Sequence, residues 1–484
     1  MRDHRADVGR ELAPGVRLEE RPELAAIAPM DVAEHVRDLP GLVLLESARP
    51  GRNARWTYLT ADPVAVLEAP SEGPDAFANA RRLLARLTAL PAGGPSPAGG
   101  PSTPPFLGGL AGFLGYDLGR RFERLPSLAT ADQELPVMRL ALHDWVIAWD
   151  RRDGRAWLGG RAVDERITAL DRRLVEVRER LAAQVRPSSM TKADGRDVAG
   201  LEMRSGLDRA AYEAGVESVR ASIAKGDIYQ ANLTRRLEAT FRGDPWPLYR
   251  RLRTGDPSLF AAYIDLGPSP ITGAPRAIAS ASPEPFLSVS PDRVVETNPI
   301  KGTRPRGRDR ADDRRHAREL LASAKDRAEN VMIVDVLRND LGRVCEPGSV
   351  RVPRLCRLER TAAVQHLVST VTGQLAPSRD AFDLLSASFP GGSITGAPKI
   401  RAMQLIEGLE PVRRGPYTGI ACWVGPDGAM GSSILIRTFV ADGERLSLHV
   451  GGGITWRSEP AAEWDETVAK ASGPLRAIGA REVA

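Results

Sequence analysis

Residues 415–450 read GPYTGIACWVGPDGAMGSSILIRTFVADGERLSLHV and hold three strand-like runs, GIACWVG (419–425), SSILIRTFVA (432–441) and RLSLHV (445–450). No helical stretch separates them. Upstream, AAYIDL (261–266) and PFLSVS (285–290) continue the pattern, and DRAAYEAGVESVRASIAKGD (208–227) is helix-like. Strands that follow one another without a helix between them point to an α+β fold, antiparallel β-sheets with helices outside.

Further upstream, GLVLLESA (41–48), RWTYLT (55–60) and MRLALHDWVIAWD (138–150) read as strands, whereas DAFANARRLLARLTAL (75–90) and VDERITALDRRLVEVRERLAAQV (163–185) carry apolar residues at helical spacing. The run PAGGPSPAGGPSTPP (91–105) is a Pro/Gly linker with no means of building a core. A second polar stretch, RPSSMTKADGRD (186–197), divides an N-terminal region, 15–185, from a motif-dense C-terminal domain, 205–480.

A chain of 484 residues can bury a large core. It lacks any run of about 18 apolar residues, as a membrane helix would need. The charged start MRDHRADVGRELAPG has no apolar region of a secretory signal. The three cysteines, Cys345, Cys356 and Cys422, form no CxxC pair, and this suits a reducing compartment, so a cytoplasmic protein is expected. The net charge of +5 comes from interleaved arginines and acids without a basic stripe, which argues against nucleic-acid binding. Six scattered histidines leave no zinc pattern, so any metal would be a hard cation held by carboxylates.

Within NPIKGTRPRG (298–307), Lys301 stands in a constrained turn framed by Pro299 and Pro305, beside Gly302. A solvated surface lysine needs no such framing. Two helix-like segments carry carboxylates at i,i+3: Asp326 and Glu329 in DRAENVMIVDVLRND, Glu463 and Glu466 in EPAAEWDETVAKA, with Lys470 one turn on. A solvated acidic face explains either pair alone; two such pairs across a cleft would hold one Mg²⁺. FPGGSITGAPKIRAM (389–403) is no phosphate loop, because Ala397 and Pro398 stand where Lys and Ser/Thr must follow. Gly451, Gly452 and Gly453 are either a plain turn or a place where backbone N–H groups approach a ligand. Arg437, inside the strand-like SSILIRTFV, is either a cross-strand salt bridge or a carboxylate binder. His366 lies in an apolar run, the usual setting of a packed core histidine, and Glu284 sits between two prolines.

Taken in order, PIKGTRPRG, DRAENVMIVDVLRNDLGRV, VQHLVSTVTG, FPGGSITGAPKIRAMQLI, GPYTGI, SSILIRT and GGGIT…AEWDETVAKA resemble the chorismate-utilising enzymes. These are anthranilate synthase large subunits, aminodeoxychorismate synthases, and isochorismate and salicylate synthases. The resemblance covers most of 205–480 and implies that family's fold, with sheets packed face to face. PIKGT and PGGSITGAPK are similar to the aminodeoxychorismate synthase forms, and anthranilate synthase component I is the alternative. A catalytically dead chorismate-binding subunit is opposed by the intact set of site residues.

The resemblance implies amination of chorismate at C4, on the path to 4-aminobenzoate and folate. Lys301 would form a covalent intermediate at C2, its amine made neutral by burial or by Arg304 and Arg306. Glu284 would protonate the departing hydroxyl, and His366 matches a histidine near the ring. Glu329 and Glu466 would bind Mg²⁺, with Glu463 and Asp326 behind them. Arg437, Tyr417, Lys470 and the N–H groups of Gly452 and Gly453, beside Gly451, would hold the enolpyruvyl carboxylate, with Gly302 and Thr303 lining the same pocket. No glutaminase nucleophile motif is present, so a separate glutamine amidotransferase is expected to supply ammonia. Two places depart from the family pattern: SPEPF carries Pro285 where an arginine is usual, and DPSLF (256–260) stands opposite LLES (44–47), where tryptophan inhibits anthranilate synthases. GPSPITGAPRA (267–277) is expected to form a hairpin loop.

Overall fold

The computed structural model describes residues 10–49, 54–73, 75–90, 103–183, 200–361 and 364–483; most of the first linker and all of the second lie outside them. The described strands form two sheets, one of fourteen strands and one of ten. Pairing within them is antiparallel except where Glu202–Ser205 meets Arg481–Val483. Both sheets interleave the two halves of the sequence. Val43–Glu46 pairs with Phe260–Pro268 in the larger sheet, and Gly109–Leu114 pairs with Ile420–Val424 in the smaller. The stretch 267–277 is the expected hairpin, closing Phe260–Pro268 onto Pro275–Ser282.

Side chains alternate along a strand, so a strand buried on both faces feeds two separate apolar layers. In Phe260–Pro268, Ala261 and Tyr263 join the layer under the outer helices, while Ala262 and Ile264 join the layer between the sheets. Trp145, Ile147 and Trp149 likewise face helices, and Val146 and Ala148 face the opposite sheet. Phe113 and Ala421 of the smaller sheet meet Tyr58, Ile264 and Ile278 of the larger in that middle layer. Helices Ile167–Ala182, Pro245–Gly255 and Pro460–Ile478 cover the larger sheet, and Ala76–Leu84, Ala324–Gly342 and Ala381–Ser388 the smaller. The fold is therefore α+β, two antiparallel-rich sheets face to face with helices outside. Aspartates start several of the helices: Asp208 accepts from the Ala211 N–H at 2.8 Å, supplying one partner the first turn lacks. No helix among the described residues is long and apolar enough to cross a membrane.

Three local readings of the sequence change. The run 138–150 is two strands in different sheets, Met138–His143 in the smaller and Trp145–Asp150 in the larger. SSILIRTFVA divides in the same way into Met430–Ile434 and Thr438–Asp442, so Arg437 lies on the link, at φ +50°, and not in a strand. Periodicity cannot report such a crossing, because an apolar alternation continues through it. The constrained turn around Lys301 is an edge strand, Ile300–Pro305, paired with Val364–Gln374 and slipped by one residue at Gly302. An edge position explains how Pro305 is tolerated, since its missing N–H faces no neighbour.

Phe113 is fully buried between the sheets. Phe113→Ala should cost about 3–5 kcal/mol. Because each sheet holds strands from both halves, that loss should appear as a shift in one shared denaturant transition. Two separated transitions, only one of them moved, would contradict this architecture.

Candidate active site

A cavity of about 1010 Å³ opens between the two sheets, with Lys301, Thr303 and His366 on one wall and Gly451, Gly452 and Gly453 on the other. Glu284, Tyr417, Arg437 and Lys470 line it too, as does Arg306. Gly302 supports the wall from behind. Its φ is +74°, and a side chain there would begin 2.8 Å from Asp326 Cβ and 2.9 Å from Leu320. Glycine at this slip lets helix Ala324–Gly342 press against the Lys301 strand, which brings Glu329 within electrostatic reach of the Lys301 amine. On the opposite wall, Gly452 meets the side-chain ends of the second carboxylate helix. A side chain there would begin 3.3 Å from Glu463 Oε2, 3.5 Å from Glu466 Oε1 and 3.6 Å from Lys470 Nζ.

Lys301 and Glu284 keep partial accessibility through the cavity, but their ionisable ends are enclosed. Burial pulls the Lys301 amine below its ordinary pKa, against the opposing pull of Glu284 and Glu329, and the Lys470 charge adds to the lowering. Burial pushes the Glu284 carboxyl up, against Lys301 and against a hydrogen bond from Ser393. Both groups lean toward their neutral forms. Ser393 joins them: its hydroxyl donates to Glu284 Oε1 at 2.8 Å, and its carbonyl accepts from Lys301 Nζ at 3.4 Å. The arginines expected to lower the lysine are engaged elsewhere. Arg304 pairs with Asp326 at 3.1 Å and Arg306 with Asp313 at 2.7 Å, so burial and Lys470 take that part.

The carboxylates fall as their i,i+3 spacing suggests, on two helices either side of the gap. Burial raises Glu329 and Glu463, and the charge of Glu466 raises both further. Lys470 donates to the Gly451 carbonyl at 2.8 Å and pairs with Glu466 at 2.7 Å; Lys325 lies 3.9 Å from Glu329. Among the described residues no three His, Cys, Asp or Glu side chains are gathered closely enough to grip a metal ion as they stand. The donor set is all carboxylate oxygen, and two of its members are raised by burial and by the charge of the third. A hard dication would relieve both, so the residues fit that class of ion.

Arg437 reaches across the cavity to Asp256 at 3.3 Å, a residue that ends helix Pro245–Gly255. It is ion-paired, though to no neighbouring strand. Thr303 and His366, register partners across two strands, share a 2.9 Å hydrogen bond. His366 is thus half-buried and partnered; burial lowers its pKa, and the Arg437 charge lowers it further. Tyr417 stacks on His449 with ring centroids 4.9 Å apart. Ser393, His449, Asn232 and Asp256 also line the cavity and were not singled out from the sequence. Ser393 stands in the glycine-rich loop and His449 just before the glycine triplet, so proximity to a motif was the available signal. Asn232 offered none.

Residues 43–476 match the family described as chorismate binding enzyme. Aminodeoxychorismate synthase component 1 of Klebsiella aerogenes is 43% identical over 374 residues, covering 77% of this chain and 78% of that protein. Anthranilate synthase component 1 of Streptomyces coelicolor is 39% identical over 456 residues, covering 92% of this chain and 85% of that one. The crystal structure of anthranilate synthase component I from Streptococcus pneumoniae superposes with a TM-score of 0.74 at 29% identity, over 88% of this chain and 93% of that one. With a cavity of this construction and a match spanning nearly its whole length, the chain belongs to the chorismate-binding enzyme family.

Proposed function

We propose that this chain is the synthase component that turns chorismate and ammonia into 4-amino-4-deoxychorismate, on the way to 4-aminobenzoate and folate. The observation that carries the reading is the enclosed Lys301–Glu284 pair bridged by Ser393, a nucleophile and an acid both biased toward their neutral forms. The Lys301 amine adds to C2 of the ring, the ring double bonds shift toward C4, and the C4 hydroxyl leaves as water with the Glu284 proton. Ammonia then adds at C4, the double bonds shift back, and the Lys301–C2 bond breaks to return the amine. The surplus proton on the new amino group restores Glu284. Splitting the substitution in this way replaces one hindered displacement by two accessible steps.

Glu329, Glu463 and Glu466 would hold a Mg²⁺ ion, which when bound supplies positive charge against the ring carboxylate. Arg437, Tyr417, Lys470 and the N–H groups of Gly452 and Gly453 would orient the enolpyruvyl carboxylate, with Gly302, Thr303 and Gly451 shaping the wall. His366, tied to Thr303, orients that wall next to the ring. The three cysteines are free and buried, which supports a reducing, cytoplasmic setting. Anthranilate synthase component I is the second reading, supported by the Streptomyces coelicolor relative, which matches over 92% of this chain at 39% identity.

Incubation with chorismate, Mg²⁺ and ammonium followed by mass analysis should give a C4-aminated diene that retains the enolpyruvyl group, and chelation of the metal should stop its formation. Release of anthranilate with pyruvate would select the second reading. Lys301→Ala should abolish product, and near-normal turnover in that variant would rule out the covalent relay. The charge of Glu284 raises the Lys301 pKa, so removing it must lower that pKa. In Glu284→Gln, labelling of Lys301 by an amine-directed reagent should therefore persist to lower pH than in the wild type, while turnover drops by about 10²–10⁴-fold for want of the acid. A labelling profile moved to higher pH would refute the pairing. Finally, ammonia is proposed to come from a separate glutamine amidotransferase. Glutamine should support no turnover by this chain alone and full turnover once such a subunit is added; glutamine-dependent activity without it would overturn that assignment.

A further inference from the structure

Gln230 and Asn232 open the strand Gln230–Thr240, two residues apart and so on one face of the larger sheet. Gln230 is fully buried, yet neither its amide nitrogen nor its amide oxygen has a partner, and Asn232 Oδ1 has none either. Two residues further along the same face the pattern ends: Thr234 donates to Glu410 at 2.8 Å. Buried polar atoms are ordinarily paired, and three open ones side by side mark a place built for something small and polar. That place adjoins the reacting amine. Asn232 Nδ2 and Lys301 Nζ both donate to the Ser393 carbonyl, at 3.5 and 3.4 Å. Gly453 of the cavity wall closes the other side, where a side chain would begin 2.5 Å from Gln230 Nε2 and 3.1 Å from Asn232 Oδ1.

We propose that Gln230 and Asn232 form the binding site for the ammonia nucleophile, held beside Lys301 behind Gly453. The inference rests on the C4-amination reading above. With the Gln230 amide turned so that its oxygen takes the place of Nε2 beside Asn232 Oδ1, the site presents one carbonyl from each residue, and these accept two of ammonia's three N–H bonds. Both groups are uncharged. A carboxylate here would stabilise ammonium and hold back the lone pair, whereas amides orient ammonia without favouring its protonation. From this place the lone pair forms the C4–N bond as the Lys301–C2 bond breaks, that bond's electrons return to the lysine amine, and the extra N–H proton passes to the carboxylate left on Glu284.

The test uses the full chain with chorismate, Mg²⁺ and ammonium chloride as the nitrogen source. Gln230→Leu should raise the KM for ammonia roughly tenfold, the worth of its lost hydrogen bonds, with the KM for chorismate unmoved. Gln230→Ala should gain the ability to use methylamine, giving an N-methyl product that the wild type does not form; a merely structural role would not produce that gain. Should neither variant fold, Asn232→Ala carries the same expectation for the ammonia KM. An unchanged ammonia KM, or an equal rise for chorismate and ammonia, overturns the site. A wild type that aminates at C4 while the variants keep its ammonia KM sinks this inference alone; a wild type that never aminates at C4 sinks the parent reading with it.

Discussion

Enclosing a lysine amine and a carboxyl together without letting them settle into an ordinary ion pair is the constraint around which this molecule is arranged. In water the two would be oppositely charged and the amine would be no nucleophile. Burial penalises both charged forms, and it is the largest influence on each group, outweighing their mutual attraction. Ser393 then separates the two roles: its hydroxyl serves the carboxyl and its carbonyl serves the amine. A serine can do this because it brings a donor and an acceptor in one residue, and the glycine-rich loop delivers its backbone as close as its side chain.

Holding such a pair requires walls from several directions, and the interleaved sheets supply them. Lys301 comes from an edge strand of the smaller sheet, the glycine triplet from a central strand of the larger, and the carboxylates from helices that cover opposite faces. Two glycines set the spacing. Gly302 admits the helix of Glu329 on one side, and Gly452 admits the helix of Glu463 and Glu466 on the other. At Gly302 a single Cβ would press on the helix of Glu329, in a left-handed backbone as well; at Gly452 it would meet only the side-chain ends of Glu463, Glu466 and Lys470, which lie in contact with the strand there.

Much of this was legible in the residues themselves. Helical spacing put each carboxylate pair on one helix, as Ala324–Gly342 and Pro460–Ile478 show, and the succession of strands indicated antiparallel sheets. What stayed hidden depends on partners far away in the chain. The Lys301 segment read as a turn because its prolines and glycine are turn formers, and only its pairing with 364–374 makes it a strand. Arg304 and Arg306 looked available because they are near Lys301 in sequence; Asp326 and Asp313 claim them in space. Asn232 and Gln230 sit in an ordinary-looking strand, and which of their groups find a partner depends on the distant Gly453 and Ser393 that face them.

One of the crossings between the sheets brings a charged residue to the cavity. A chain that leaves one sheet for the other cannot keep regular pairing through the link, and its backbone there takes conformations a strand forbids. Arg437 is such a residue, held in the left-handed region between Met430–Ile434 and Thr438–Asp442. Left-handed geometry at a long polar residue is costly, so the surrounding structure must over-determine it. Here both flanking strands are locked into different sheets, and Asp256 fixes the guanidinium at the cavity. The link that ties the sheets together thereby aims a cation into the space between them. The middle apolar layer that stabilises the fold holds both sheets, and with them the flanking strands and this link, in place.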